Sequence, residues 1–326
     1  MNNKTIIKLL LLIIFIFILG PIIMFMLKVG YKQFVSKKDL PDRYGNKSWV
    51  VITGASRGQG RYLAEEFASD NFNLILIGSE RSLNTAKYIR SKYPNCQIKV
   101  IVRDFSKSLH DENWWNEIEQ IFNGQYDISI LVNNVGQRTA SNPSHVQNDE
   151  KIRQSLITGS YPQIRLTKLA LNHMIQRLKL KPQYKCAVIF NTAECIHPTF
   201  LLSQYDSTGE ISVPFLSVYE ATNAFGFYHA NSLIKEYKVS QPDIDMLNIM
   251  PGAVITENTE YLDKTPFAID VKTFAKNIVR LLGNWNGPSC AYWGHDISSL
   301  LIGFAPWKKD PMLRKVGLTL SENLKD

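Results

Sequence analysis

The residues in this chain best suited to chemistry are three glycines and one tyrosine. Gly54, Gly58 and Gly60 follow the apolar run Trp49-Val-Val-Ile-Thr53 and precede a helical pattern that starts at Arg61. Glycines at such a strand-to-helix junction let the chain turn tightly. They also let its backbone approach a diphosphate at the helix N-terminus, where unpaired amides and the helix dipole favour anions. Tyr219 stands in Tyr219-Glu-Ala-Thr-Asn223, four residues before Asn223. A phenol can pass a proton, but with a pKa near 10 only about a thousandth of it is ionised at pH 7. A neighbouring ammonium would favour the ionised form, whereas the Asn223 amide supplies dipoles and no charge. The histidines (His110, His145, His173, His197, His229 and His295) show no ligand spacing. Cys96, Cys186, Cys195 and Cys290 are scattered without a CxxC pair. The expectation is no metal, and free thiols in a reducing compartment.

Holding these groups together takes a parallel sheet. Short runs rich in Ile, Val and Leu lie at Ser48–Thr53, Asn73–Ile77, Ile98–Val102, Ile128–Val132, Ala187–Asn191 and Met246–Met250. They read as strands buried on both faces. Between them come helical stretches near 60–69, 81–93, 111–122, 146–180, 217–238 and 271–283. The alternation predicts an α/β fold, a doubly wound parallel sheet of Rossmann type in a single domain. The longest irregular piece, Cys195 to Ser217, has the length of a functional loop.

At 326 residues and 45% hydrophobic content the chain can bury one sizeable core. Its formal charge of +8 is spread along the sequence, with one local excess just after an N-terminal apolar run. That placement fits a membrane-facing collar better than a nucleic-acid surface. The run, Leu9 to Leu27, has 19 residues without a charge, roughly 28 Å as a helix and about the thickness of a bilayer core. It is longer than a signal-peptide core and continues past Gly20-Pro21 without a cleavage site. Lys4 and Lys8 precede it, against Lys28, Lys32, Lys37, Lys38 and Arg43 after it. The expected organisation is a single transmembrane helix over residues 1–28, a basic polar linker over 29–47, the α/β domain over 48–310 and a tail over 311–326. The positive-inside rule puts that domain on the cytosolic or matrix side of an endoplasmic reticulum or inner mitochondrial membrane.

Five segments in order carry a resemblance over residues 48–310. They are Thr53–Gly60, Asp104 after the third strand, Asn133-Asn134-Val135-Gly136 after the fourth, Tyr219, and Pro251-Gly252 with Thr256 after the sixth. With them the chain resembles the short-chain dehydrogenases/reductases. The anchor, Leu131–Gly136 and the apolar stretch Ser298–Trp307 make it similar to their membrane-anchored branch of very-long-chain 3-oxoacyl-CoA reductases and 17β-hydroxysteroid dehydrogenases. The resemblance implies a dinucleotide held by Gly54, Ser56, Arg57, Gly58, Gly60, Asp104, Asn133, Gly136, Pro251, Gly252 and Thr256, with Asn223 able to bond a ribose hydroxyl. No Asp stands at the tip of the second strand, in Gly78-Ser-Glu-Arg81, to accept from a ribose 2′-hydroxyl. Arg57 and Arg81 suit a 2′-phosphate instead, so NADP(H) is expected rather than NAD(H). Gln59 departs from the isoleucine usual in this loop, which questions how tightly the helix packs there.

Such a reductase uses Tyr as proton donor, Ser to hold the carbonyl, Lys to lower the Tyr pKa and Asn to order a water relay. Tyr219 is retained. The lysine position is Asn223, the serine position falls on Glu194 and the asparagine position on Leu156. Thr192 is the nearby hydroxyl that could replace the serine. Three substitutions together point to lost chemistry. The expectation is therefore an NADP(H)-binding, catalytically inactive accessory subunit of a membrane assembly such as a respiratory complex, in contact with lipid and other subunits. The alternative is an active NADPH-dependent reductase of 3-oxoacyl-CoA or steroid ketones that uses Tyr219, with pairing into a homodimer. The insertion Ser203–Glu210 reads as a lid, a docking loop or a tolerated surface feature. Trp114-Trp115 reads as packing, and the Trp293–Trp307 run as a cleft wall, a membrane contact or simple core packing.

Overall fold

Strands covered on both faces must offer apolar side chains to each face, and the chain's Ile-, Val- and Leu-rich runs do so. The computed structural model describes residues 3–109, 111–136, 144–192, 214–257, 259 and 265–304. Its six main strands are β1 (Trp49–Thr53), β2 (Asn73–Gly78), β3 (Ile98–Val102), β4 (Ile128–Asn133), β5 (Cys186–Asn191) and β6 (Ile244–Ile249). Two short strands, β7 (Ala253–Ile255) and β8 (Ala268–Asp270), pair with each other. The three-residue β9 (Gly287–Ser289), too short to give a sequence signal, completes a seven-stranded sheet in the order β3-β2-β1-β4-β5-β6-β9. All its pairings are parallel. The order reverses between β1 and β4, where doubly wound sheets open a crevice at the strands' C-terminal ends.

Alternate residues of each strand serve opposite layers. Val50, Ile52, Leu74, Leu76, Ile130 and Val132 face one layer. It is built on α4 (Gly58–Ser69), α5 (Arg81–Lys92) and α9 (Val271–Leu281). Val51, Ile75, Ile77, Leu131, Val188 and Phe190 face the other. That side is formed by α6 (Glu112–Gln120), α7 (Asp149–Leu180) and α8 (Ser217–Ser240). Trp114 and Trp115 are buried in this second layer, as expected of packing residues. Several helices start where an Asn or Asp side chain accepts from backbone amides of the first turn, which would otherwise lack partners. Asn148 does so for α7 and Asp270 for α9.

The amino-terminal end departs from the expected organisation. No helix among the described residues is long and apolar enough to cross a membrane. The apolar run is divided between α1 (Asn3–Ile14), a π-helical turn at Phe15–Leu19 and α2 (Gly20–Phe34). The stretch read as a polar linker is packed as well. Lys32, on α2, is buried in an ion pair with Asp296 at 2.7 Å, on α10 (Trp293–Phe304). A short helix, α3 (Leu40–Tyr44), inserts Leu40 and Tyr44 fully into the core. Arg43 donates to the Asp245 carboxylate on β6 through Nε at 2.7 Å and Nη2 at 3.0 Å, and the Tyr44 hydroxyl donates to the same group at 2.7 Å. Arg177, 4% exposed, donates to the Tyr44 carbonyl at 2.6 Å and to Asp127 at 2.7 Å. Burial pushes the Asp127 carboxyl up, but the hydrogen bonds from Arg177 and Lys181 outweigh it and leave it below its ordinary pKa. Read as sequence, these are scattered charges; only the fold reveals that they close on one another.

Candidate dinucleotide-binding and active site

The glycine loop sits at the reversal of strand order. Gly54 and Gly58 adopt positive φ, +66° and +53°, where glycine is free of the Cβ penalty. Gly60 is required by proximity: a Cβ there would lie 2.4 Å from the Gly54 oxygen and 2.6 Å from Asn134 Nδ2. Thr53 stitches β1 to β4. Its Oγ1 accepts from the Asn134 and Val135 amides at 2.9 and 3.0 Å. Asn134 Nδ2 in turn donates to the Thr53 carbonyl at 3.0 Å. The start of α4 is thus held against the crevice.

Gly60→Ala is expected to weaken dinucleotide binding at least tenfold and to destabilise the fold by roughly 1–3 kcal/mol, because the nearest group to be displaced, the Gly54 carbonyl, is backbone. Gly136→Ala should leave stability unchanged, since a Cβ there meets nothing within 4 Å. Fluorescence titration and thermal melting of the two variants check this contrast.

The other site residues named from the sequence have the following surroundings. Ser56 is half-buried and Arg57 and Arg81 are exposed beside the loop, open to a ligand phosphate. Asp104 is exposed, and its carboxylate accepts from the Ser106 amide at 3.0 Å and the Ser106 hydroxyl at 2.8 Å. Asn133, expected to hold the nucleotide, is 4% exposed and gives its amide to Thr167 on α7 at 2.8 Å. The next residue, Asn134, is the one that reaches the crevice. Gly252 donates its amide to His295 Nδ1 at 3.2 Å, and His295 Nε2 donates to the Ala253 carbonyl at 3.1 Å. Burial pulls the His295 pKa below its ordinary value, so the ring stays neutral as this pairing needs. Thr256 is tied at its amide to Thr259 Oγ1 at 2.8 Å.

Gln59 does not loosen the helix. Asn191 Nδ2 donates to Gln59 Oε1 at 2.9 Å and to Asn134 Oδ1 at 2.7 Å. Three carboxamides therefore link the first turn of α4 to the ends of β4 and β5. The sequence signal for this link was the unusual residue at 59, although its partners could not be read there.

On α8, Tyr219 is half-buried and Asn223 Nδ2 donates back to the Tyr219 carbonyl at 2.8 Å. The structure moves the asparagine position. Leu156 is 45% exposed, so it does not serve the pocket. The α7 residue that packs against the Asn223 region of α8 is Gly159, where a Cβ would lie 2.7 Å from Thr222 Cβ. The helices approach so closely there that no side chain fits. Thr192, the possible stand-in for the serine, is committed to structure: its hydroxyl bonds Asn248 Oδ1 at 3.0 Å and the Ile249 carbonyl at 3.1 Å. Glu194, His110, His197, the 203–210 insertion and the 311–326 tail lie outside the described residues.

A parallel sheet of this order, with a glycine loop at its reversal and a tyrosine on the helix after β5, defines a Rossmann-type dinucleotide-binding domain. The short-chain dehydrogenase family model matches residues 48–182 of this chain. The chain is 26% identical over 269 residues to a very-long-chain 3-oxoacyl-CoA reductase of Podospora anserina, covering 80% of this chain and 72% of that one. It is 29% identical over 262 residues to human 17-beta-hydroxysteroid dehydrogenase type 3, covering 79% and 75%. Among solved structures, a 7beta-hydroxysteroid dehydrogenase matches with a TM-score of 0.62 at 18% identity, covering 86% of this chain and 100% of that one. A short-chain dehydrogenase from Sphingobium yanoikuyae in complex with NADPH matches with a TM-score of 0.58 at 19% identity, covering 81% and 95%.

Proposed function

We propose that this chain is a membrane-associated, NADP(H)-dependent reductase of a carbonyl on a long apolar substrate, of the 3-oxoacyl thioester or steroid ketone class. The observation that carries the reading is Tyr219 on α8 in a domain whose glycine loop keeps its required close approach at Gly60. Gly54, Gly58 and the α4 amides would hold the diphosphate, and Arg57 and Arg81 a 2′-phosphate. The bound reduced nicotinamide supplies hydride. Tyr219 hands its phenolic proton to the carbonyl oxygen as charge develops there. Asn223 contributes a neutral amide, so the phenolate left behind has no ammonium one turn away, and slow turnover is the expected consequence.

Membrane association is supported by apolar side chains without protein cover. Ile7, Leu12, Phe15, Ile16, Met24 and Leu27 are 52–62% exposed along α1, the π turn and α2. Apolar surface of that extent calls for lipid or a partner. Leu156, Ile164, Phe225 and Tyr228 are exposed on the neighbouring helices α7 and α8, which supports pairing of two copies.

Asn223 also favours a second reading, in which the dinucleotide binds without turnover and the chain is an accessory subunit. One experiment separates them: purified full-length protein in lipid nanodiscs with NADPH and either a long-chain 3-oxoacyl-CoA or a 17-keto steroid. Turnover that Tyr219→Phe abolishes supports the reductase. Saturable NADPH binding with no turnover above the Tyr219→Phe background supports the second reading.

A further inference from the structure

The Gly58 amide at the start of α4 already has an anion. Glu257, at the tip of the segment after β7, accepts from the Gly58 amide through Oε2 at 3.1 Å. Its other oxygen lies 3.8 Å from Arg61 Nη1. Arg61 is held in place over the Tyr88 and Tyr62 rings, 5.1 and 5.7 Å from their centroids. Its Nε is buried with no partner. Thr256, the neighbour of Glu257, sets its Cγ2 3.7 Å from where a Gly58 Cβ would be. The stem of the segment is fixed: His295 clamps Gly252 and Ala253, and Thr259 Oγ1 donates to the Val254 carbonyl at 2.6 Å. The Glu257 side chain itself is 43% exposed, so it can swing out without disturbing that stem.

We infer that Glu257 is a resident mimic of the dinucleotide's diphosphate, bonded to the Gly58 amide and paired with Arg61, which the incoming diphosphate must displace. The inference rests on the proposed dinucleotide site. A carboxylate and a phosphate present the same charge-assisted acceptor to an amide and a guanidinium. They cannot share one amide, and two anions at close range repel. Binding is therefore an exchange: the diphosphate takes the Gly58 amide and Arg61, and Glu257 turns to solvent. The carboxylate keeps the loop and Arg61 satisfied while no nucleotide is bound, and it lowers nucleotide affinity in proportion to how well it does so.

The test is a titration of the full-length protein in nanodiscs with NADPH and, separately, with inorganic pyrophosphate. Glu257→Gln keeps the shape and removes the charge; Glu257→Asp keeps the charge and shortens the reach. Both are expected to bind both ligands more tightly, by about tenfold for Glu257→Gln. Glu236→Gln, a charge loss on the exposed end of α8, should change nothing. Arg61→Ala should weaken both ligands in the wild-type and Glu257→Gln backgrounds alike. Thermal melting confirms that each variant is folded. Wild type and Glu257→Gln binding NADPH equally, or the variant binding more weakly, overturns the inference and leaves the dinucleotide site standing. Failure of every folded form to bind NADPH overturns both.

Discussion

Replacing Asn223 by lysine is expected to raise carbonyl reduction by about 10- to 100-fold. Asn223 lies one turn after Tyr219 and spends its amide proton on the Tyr219 carbonyl at 2.8 Å. It therefore stabilises backbone and contributes no charge to the phenol. An ammonium on a four-carbon stem at the same position reaches past that carbonyl toward the phenol and favours the phenolate that remains after proton transfer. One pKa unit of such stabilisation is worth about 1.4 kcal/mol, or tenfold if fully felt in the transition state. The measurement is the kcat for NADPH oxidation with a 3-oxoacyl-CoA in wild type, Asn223→Lys, Tyr219→Phe and the double variant. The gain should vanish in the double variant, because the lysine acts only through the phenol. A gain that survives Tyr219→Phe, or no gain with NADPH affinity intact, would show that Tyr219 is not the acid.

That prediction depends on how the sequence and the fold divide the information. The strands were legible because burial on both faces leaves an unbroken Ile, Val and Leu signature, and the glycine loop was legible because Gly54 and Gly60 are forced by φ and by contact. Tyr219 and Asn223 were legible because a helical turn fixes four-residue spacing. Leu156 was misplaced for the converse reason. Where no motif residue marks the position, the face of a long helix such as α7 depends on its contact with α8, and Gly159 declares itself only through Thr222. Asn133 and Asn134 show the same limit at a strand end: neighbours point to opposite faces, and the crevice side was decided by Thr53 and Thr167. Glu257 and Gly58 are 199 residues apart, so no local pattern could join them. The anchor was read from hydropathy alone, which does not register the π turn at Phe15–Leu19 or the docking of Lys32 on Asp296.

The largest effect on stability is expected at Asp245, far from the nucleotide. Asp245 is 2% exposed and accepts three hydrogen bonds, two from Arg43 and one from Tyr44. Burial first, and then the Asp245 charge, push the Tyr44 phenol well above its ordinary pKa, so it remains a donor throughout the accessible pH range. Asp245→Ala strands a partly buried guanidinium and a fully buried hydroxyl at once. Removing one partner of such a buried pair costs about 3–5 kcal/mol, mostly as the desolvation of what is left behind. In a domain of this size that lowers Tm by roughly 10 °C. Asp243, two residues earlier, pairs with Lys185 at 3.3 Å with both side chains at least 35% exposed. Its replacement by alanine should cost no more than about 0.5 kcal/mol. Thermal and denaturant unfolding of the two variants decide the matter, and equal, small losses would mean that the Arg43–Tyr44–Asp245 cluster does not hold α3 to the sheet. The consequence reaches beyond stability, because α3 is the piece of chain between the apolar helices and β1. Asp245 holding Arg43 and Tyr44, and Asp296 holding Lys32, are two of the ties between the domain and its amino-terminal helices. Asp245→Ala should therefore release one of them, and cleavage by protease within residues 35–47 should rise in the variant under conditions where the sheet is still folded.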